Sequence, residues 1–188
     1  MPKKRPWRAI LWPLCCFLLA GLAGSGCDLQ TKAWAEQALG GAAGKSMTII
    51  EPWLELSLHY NRGTAFSLVG DLGTTRTVMG VFAMVMVVGL LLLVLFSRVR
   101  PFEAMALGLL AAGAFGNGFD RLARLAPGGG TGVVDFVKVN YPWGGSWPTF
   151  NVADALLVVG VAAFVVDQLL ARRRAGSAGP APESPAGA

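Results

Sequence analysis

Residues 78–96 form a run of nineteen positions without one polar side chain. A soluble domain has little room for a helix that is apolar on every face, whereas the hydrocarbon core of a bilayer takes about 20 such residues. Three further stretches approach that length, at about 9–26, 102–119 and 151–170. Only 14% of the 188 residues are charged, against roughly 25% in soluble domains. The expected fold is therefore a mainly α membrane protein: a four-transmembrane-helix bundle forming a single domain over residues 1–171.

Basic residues orient the bundle. Nine of the sixteen Lys and Arg precede the first stretch, lie between the second and third, or follow the fourth as Arg172, Arg173 and Arg174. The positive-inside rule places both termini in the cytoplasm. Segments 28–76 and 120–149 then face the other side, where seven Lys and Arg are matched by seven Asp and Glu. The net charge of +5 is thus a topology signal. No basic stripe interleaved with aromatics suggests nucleic-acid binding.

Between the first two spans, Trp34–Leu39 fits a short interfacial helix. "TIIEPWLELSLHYN" and "RGTAFSLVG" alternate as strands do. A small extracytoplasmic β-sheet is expected between the first and second helices, within about 33–75. Trp34, Trp53, Trp143 and Trp147 suit headgroup depth. The tail 172–188, rich in Gly, Pro and Ala, reads as disordered. A basic segment followed by "LAGSGC" resembles a lipoprotein precursor's cleavage box, but three later spans argue for a retained helix. Cys15, Cys16 and Cys27 make a poor disulfide framework and are expected to be free.

Polar residues collect at one end of the spans. Asn117, Asp120 and Arg121 share a helical face at the end of the third, and Asn151 and Asp154 stand three apart at the start of the fourth. Asp135 lies between them in a strand-like run. Asp167, roughly 20 Å along the helix from Asp154, is expected to be a solvated end charge. Each residue also has a plain structural explanation. Asp154 suits a helix N-terminus, Asp135 can pair with Lys138 or Arg124, Asp120 can pair with Arg121, and the asparagines can satisfy chain ends. Three polar clusters at one membrane level nevertheless exceed what capping requires, and ionisable groups there point to function.

Few chemistries fit. His59 is the sole histidine, no His or Cys pattern offers a metal site, no Gly-x-Ser-x-Gly elbow occurs, and "PGGGTG" lacks the Lys of a phosphate loop. Carboxylates remain. Two held close share one proton, so one can act as base on water while the other donates to a carbonyl oxygen.

Five motifs in order carry a family resemblance: "DLQTK" (Asp28, Lys32), "NRGTAFS" (Asn61, Gly63, Ala65, Phe66), "GNGFDR" (Asn117, Asp120, Arg121), "VVDF" (Asp135) and "FNVAD" (Asn151, Asp154). Together they resemble signal peptidase II, the bacterial lipoprotein signal peptidase family, over about residues 9–171. The resemblance implies an intramembrane aspartic endopeptidase of the bacterial inner membrane, active near its outer face as a monomer without cofactor or metal. It implies Asp135 and Asp154 as the catalytic pair. Asn61, Gly63, Ala65, Phe66, Asn117, Arg121 and Asn151 would contact substrate or position the pair, and Asp28, Lys32 and Asp120 would give structural polar support. The implied partners are membrane lipids and prolipoproteins carrying diacylglyceryl-cysteine, cut N-terminal to that cysteine. Leu29 departs from the family's usual Gln. The rival readings are a small proton-coupled transporter and an inactive lipoprotein-binding scaffold of the same fold.

Overall fold

The computed structural model describes residues 7–41, 43–63 and 73–177. Four helices, α1 (Arg8–Ala38), α2 (Gly73–Phe96), α3 (Pro101–Ala123) and α4 (Val152–Ser177), are each long and apolar enough to cross a membrane. Strands β1 (Ser46–Ile50) and β2 (Leu54–Asn61) come from the segment between α1 and α2. Strand β3 (Val133–Val139) comes from between α3 and α4. They form one antiparallel sheet in the order β1-β2-β3.

Two boundaries differ from the sequence expectation. The first span and the separate short helix at 34–39 are one continuous helix of 31 residues. At 1.5 Å per residue it is about 46 Å long, well beyond a hydrocarbon layer of ~30 Å. Counted from Arg8, Asp28 lies about 30 Å along the helix and Lys32 about one turn further. At the far end, α4 continues through Arg172–Arg174 to Ser177, so the first part of the expected disordered tail is helical. Residues 178–188 lie outside the described residues, as do Ala65, Phe66 and most of the expected strand "RGTAFSLVG".

Helix α3 is the centre of the bundle, and small residues let its neighbours approach. A Cβ on Gly108 would stand 2.5 Å from the Phe17 carbonyl oxygen of α1, and one on Gly113 would stand 2.5 Å from the Ala153 carbonyl oxygen of α4. Around these contacts Phe17, Val94, Val99, Ala104, Leu107 and Ala111 form an apolar core. A second core joins sheet to helix: Leu56, Leu58, Val134 and Phe136 pack on Ala35 of α1 and on Leu39 just beyond its end. The extension of α1 thus becomes the post against which the sheet rests. At the opposite end Arg100 pairs with Asp167, and Gln168 donates to Glu103 at 3.1 Å. Asp167 is therefore an ion-pair partner between α3 and α4, in place of the solvated charge expected. Cys15, Cys16 and Cys27 are free, and Trp34, Trp53, Trp143 and Trp147 are exposed.

Candidate active site

The start of α4 supplies the first carboxylate through ordinary helix chemistry. Asn151 precedes the first helical residue, and its Oδ1 accepts the backbone N–H of Asp154 at 3.0 Å. Asp154 Oδ2 in turn accepts the backbone N–H of Asn151 at 3.1 Å. This reciprocal arrangement is a capping box with a shorter acid. Asp28 satisfies another free donor at the same helix end, accepting Ala153 N–H at 2.8 Å.

A second carboxylate meets this cap from the sheet. Asp135 sits in the buried half of β3, and its Oδ1 accepts Asn151 Nδ2 at 2.7 Å. Asn61, at the end of β2, donates to Asp135 Oδ2 at 3.2 Å. From α3, Asn117 donates through Nδ2 to Asp154 Oδ1 at 2.8 Å, and its own Oδ1 accepts Asn151 Nδ2 at 3.1 Å. Asp135 and Asp154 are thus both bonded to one fully buried asparagine. Burial first, and the neighbouring Asp154 carboxylate second, push the Asp135 carboxyl up to about 7, against the pull of Asn61, Asn151 and Lys32.

Below this pair lies a dry ionic cluster. The Lys32 ammonium is fully buried and meets Asp120 Oδ2 at 2.9 Å and Asn117 Oδ1 at 3.0 Å. Its contact with Asp28 Oδ2, at 2.8 Å, is an ion pair without hydrogen-bond alignment. Asp120 also accepts Val134 N–H at 3.3 Å, beside Asp135 in the chain. Its other oxygen takes Arg124 Nε at 2.6 Å.

Asp28, Lys32, Asn61, Asn117, Asp120, Asp135, Asn151 and Asp154 are therefore gathered in one place. Gly63 touches its edge, donating its backbone N–H to Asn61 Oδ1 at 3.3 Å. Arg121 lies within electrostatic reach of Asp135 and Asp154 and donates to the Asn117 carbonyl at 3.1 Å. The plain alternatives for the acids resolve differently. Lys138 pairs with Glu55, and Arg124 pairs with Asp120 and Glu36, so neither takes Asp135. Asp120 pairs with Lys32 and Arg124, not with its neighbour Arg121 as expected. His59 is exposed and contacts Ser57 Oγ at 3.1 Å. Sequence reasoning missed Glu36 and Tyr60 and considered Arg124 only as an alternative partner for Asp135, whereas it pairs with Asp120 and Glu36. Among the described residues no group of His, Cys, Asp and Glu could hold a metal ion.

Two apolar grooves meet at Asp154. One, of ≈ 420 Å³, runs between α2, α3 and α4 and is lined by Asn117, Arg121, Phe82, Met86 and Leu157. The other, of ≈ 290 Å³, follows the outer face of α4 past Trp147, Phe150 and Val158.

A family model described as "Signal peptidase (SPase) II" matches residues 20–170, which include every one of these polar side chains. The chain belongs to the signal peptidase II family. A protein named lipoprotein signal peptidase from Rhodopseudomonas palustris is 34% identical over 157 residues, covering 81% of this chain and 91% of that one. One of the same name from Cellvibrio japonicus is 33% identical, covering 89% and 91%. Two solved structures, each described as a bacterial membrane enzyme, share the fold. One has a TM-score of 0.66 at 27% identity over 81% of this chain and 92% of that one; the other has 0.68 at 25% identity over 89% and 94%. This membership, and the membrane enzymes that share the fold, agree with the bundle and sheet expected from sequence.

Proposed function

We propose that this chain is an aspartic endopeptidase that removes signal peptides from prolipoproteins whose cysteine carries diacylglycerol, cutting on the N-terminal side of that cysteine. One observation carries the reading: carboxylates from two distant segments converge on Asn151, Asp135 Oδ1 accepting from its side-chain amide and Asp154 Oδ2 from its backbone N–H. The relatives' shared name, lipoprotein signal peptidase, supports the substrate class.

The two acids divide the work by environment. Asp135, deeper and raised toward neutrality, holds the shared proton, and Asp154 acts as base. Asp154 takes a proton from water as the water oxygen bonds to the scissile carbonyl carbon. Asp135 gives its proton to the carbonyl oxygen, forming a neutral diol. In the second step Asp135 recovers a proton from the diol, Asp154 delivers its proton to the leaving nitrogen, and the C–N bond breaks. Both acids end as they began, and no covalent enzyme intermediate forms. Asn117 and Asn151 spend their side-chain amides on the pair and so serve to align it, while Arg121, at the groove mouth, faces the substrate. The apolar grooves on either side of Asp154 suit a substrate with apolar parts on both sides of the cut.

The proposed setting is the bacterial inner membrane, with both termini cytoplasmic and the site near the outer face. A lipid-bearing peptide partitions into the bilayer with its scissile bond near the headgroups, where water is also present. The test is a mobility-shift assay with purified protein and a diacylglyceryl-modified precursor. Wild-type protein should release the signal peptide, and Asp135→Asn and Asp154→Asn should each abolish release while remaining folded in detergent. Near-native turnover by either variant would remove that residue from the chemistry. Binding of the precursor without release by wild-type protein would favour the scaffold reading.

A further inference from the structure

The alignment of Asp154 does not end at Asn117. Asn117 Oδ1 accepts from both Lys32 and Asn151, and this fixes which side of the amide faces Asp154. Turning the amide over would set its N–H groups against two donors. Lys32 is held in turn by Asp28 and Asp120. Asp120 is fully buried, and its Oδ1 depends on Arg124, the residue that ends α3. The Arg124 guanidinium also donates to Glu36 Oε2 of α1 at 2.6 Å, and Glu36 Oε1 accepts the Tyr60 hydroxyl of β2 at 2.9 Å. A continuous line therefore runs Tyr60–Glu36–Arg124–Asp120–Lys32–Asn117–Asp154. A branch from Asp120 reaches the backbone of Val134, next to Asp135.

We infer that Arg124, oriented by Glu36, is a positioning residue for the catalytic pair. This rests on the aspartic-peptidase reading above. Arg124 is the link at which the fork geometry matters, because it binds two carboxylates at once, one buried and one part-exposed. Without it, Asp120 keeps a full negative charge with one oxygen unserved in a dry site, which buried carboxylates tolerate badly. Asp120 must then turn toward its remaining donors. That turn moves Lys32 away from Asn117 and loosens Val134 at the same moment. The two acids lose alignment although neither is touched. Glu36 matters less, since it orients Arg124 from the half-buried side, and the Tyr60 hydroxyl keeps it in place.

The test compares Arg124→Ala, Arg124→Lys and Glu36→Gln for cleavage of a diacylglyceryl-modified precursor, with rates expressed per folded molecule. Lys138→Ala, which breaks an ion pair within the sheet, serves as control. Misalignment of catalytic groups by an ångström costs on the order of 100-fold. Arg124→Ala should therefore lower kcat roughly 10- to 100-fold with KM changed by less than about threefold. Arg124→Lys should recover part of that loss, and Glu36→Gln should show a smaller fall of the same kind; both keep the cluster occupied and preserve folding. In an Asn117→Ala background, Arg124→Ala should cost severalfold less than it does in the wild type, because the route through Lys32 is gone and only the branch through Val134 remains. A loss confined to KM, an undiminished kcat per folded molecule, or the same fold-loss with and without Asn117 would each overturn the inference. Failure of wild-type protein to cut the precursor would instead end the peptidase reading and this inference with it.

Discussion

Replacing Asp135 by Asn should kill the enzyme and stabilise the protein, and the stabilisation should depend on pH in a stated way. An unfolded Asp titrates at 3.8, and in the fold burial and the Asp154 carboxylate push Asp135 up to about 7. Between those values the folded chain holds a proton that the unfolded chain has released. Stability therefore falls as pH rises, by about 1.4 kcal/mol per pH unit, and levels off above pH 7. Over the whole window the folded state loses about 4 kcal/mol, an order-of-magnitude figure. Asn carries no charge and escapes this loss. It brings a cost of its own, because its NH2 must occupy the place of one acceptor. The cheaper place is Oδ2, whose partner Asn61 stands 3.2 Å away. Asn61 can turn its oxygen inward and release a 3.3 Å contact from Gly63, at about 1 kcal/mol.

The balance at pH 8 is a gain of about 3 kcal/mol, or roughly 6–12 °C in Tm for a chain of this size. It should shrink steadily below pH 7 and disappear near pH 4.5. Tryptophan-fluorescence melting of both proteins in one detergent, at unit pH steps from 4.5 to 8, reads the difference directly. A Tm difference that stays flat across the series would refute the reasoning, as would a variant less stable than wild type at pH 8. Either result would mean that Asp135 is not the acid whose charge burial opposes.

Wild-type cleavage should decline on the alkaline side with an apparent midpoint near 7, a value belonging to the coupled pair; a rate flat from pH 6 to 9 would contradict the assignment of Asp135 as proton donor. Gly116→Ala should destabilise by about 1–3 kcal/mol and depress cleavage, because its Cβ would land on the Asp28 carboxylate that holds Ala153 and Lys32; a neutral effect in melting and turnover would show that α1 and α3 can separate freely. Lys138→Ala removes a part-exposed pair with Glu55 and should cost no more than about 1 kcal/mol, with near-normal turnover; a complete loss of activity would show that the β2–β3 edge acts on Asp135 after all. In a background with Ser at positions 15, 16 and 27, Ser146→Cys should react with an impermeant maleimide on intact cells and Arg173→Cys only after permeabilisation; the reverse pattern would invert the proposed orientation.

What could be read from the chain, and what could not, follows from how each feature is encoded. Membrane spans are encoded by runs of apolar side chains, so all four were visible. Hydropathy reports where a helix is dry rather than where it stops. Helix α1 therefore looked finished at residue 26, although Asp28, Gln30 and Lys32 simply continue it. The same reasoning explains α4, whose basic residues 172–174 remain helical after the apolar stretch ends. The acids stood out because a carboxylate beside a long apolar run is costly enough to demand a reason. Glu36 and Arg124 were not, since a charged residue near a helix end is commonplace and their pairing spans 88 positions. Asp167 was misread on the same ground, its partner Arg100 lying 67 positions away.

The contrast between a capping acid and the working acid proposed above can be drawn from Asp154 itself. A cap requires only that one carboxylate oxygen meet a free backbone N–H, and Oδ2 does this with Asn151. Nothing in helix formation asks for a donor on Oδ1, nor for Asn151 to hold a second acid. Yet Asn117 is brought from another helix to serve Oδ1, and Asn151 turns its amide to Asp135. Asn117 is itself kept in place by an ammonium with no access to solvent. Burying Lys32, Asp28 and Asp120 together is a poor way to gain stability, since an apolar cluster of the same volume would do as well or better. The arrangement makes sense if its product is orientation. A helix start supplies the first carboxylate with little strain, the sheet delivers the second, and the ionic cluster keeps the asparagines between them from turning over.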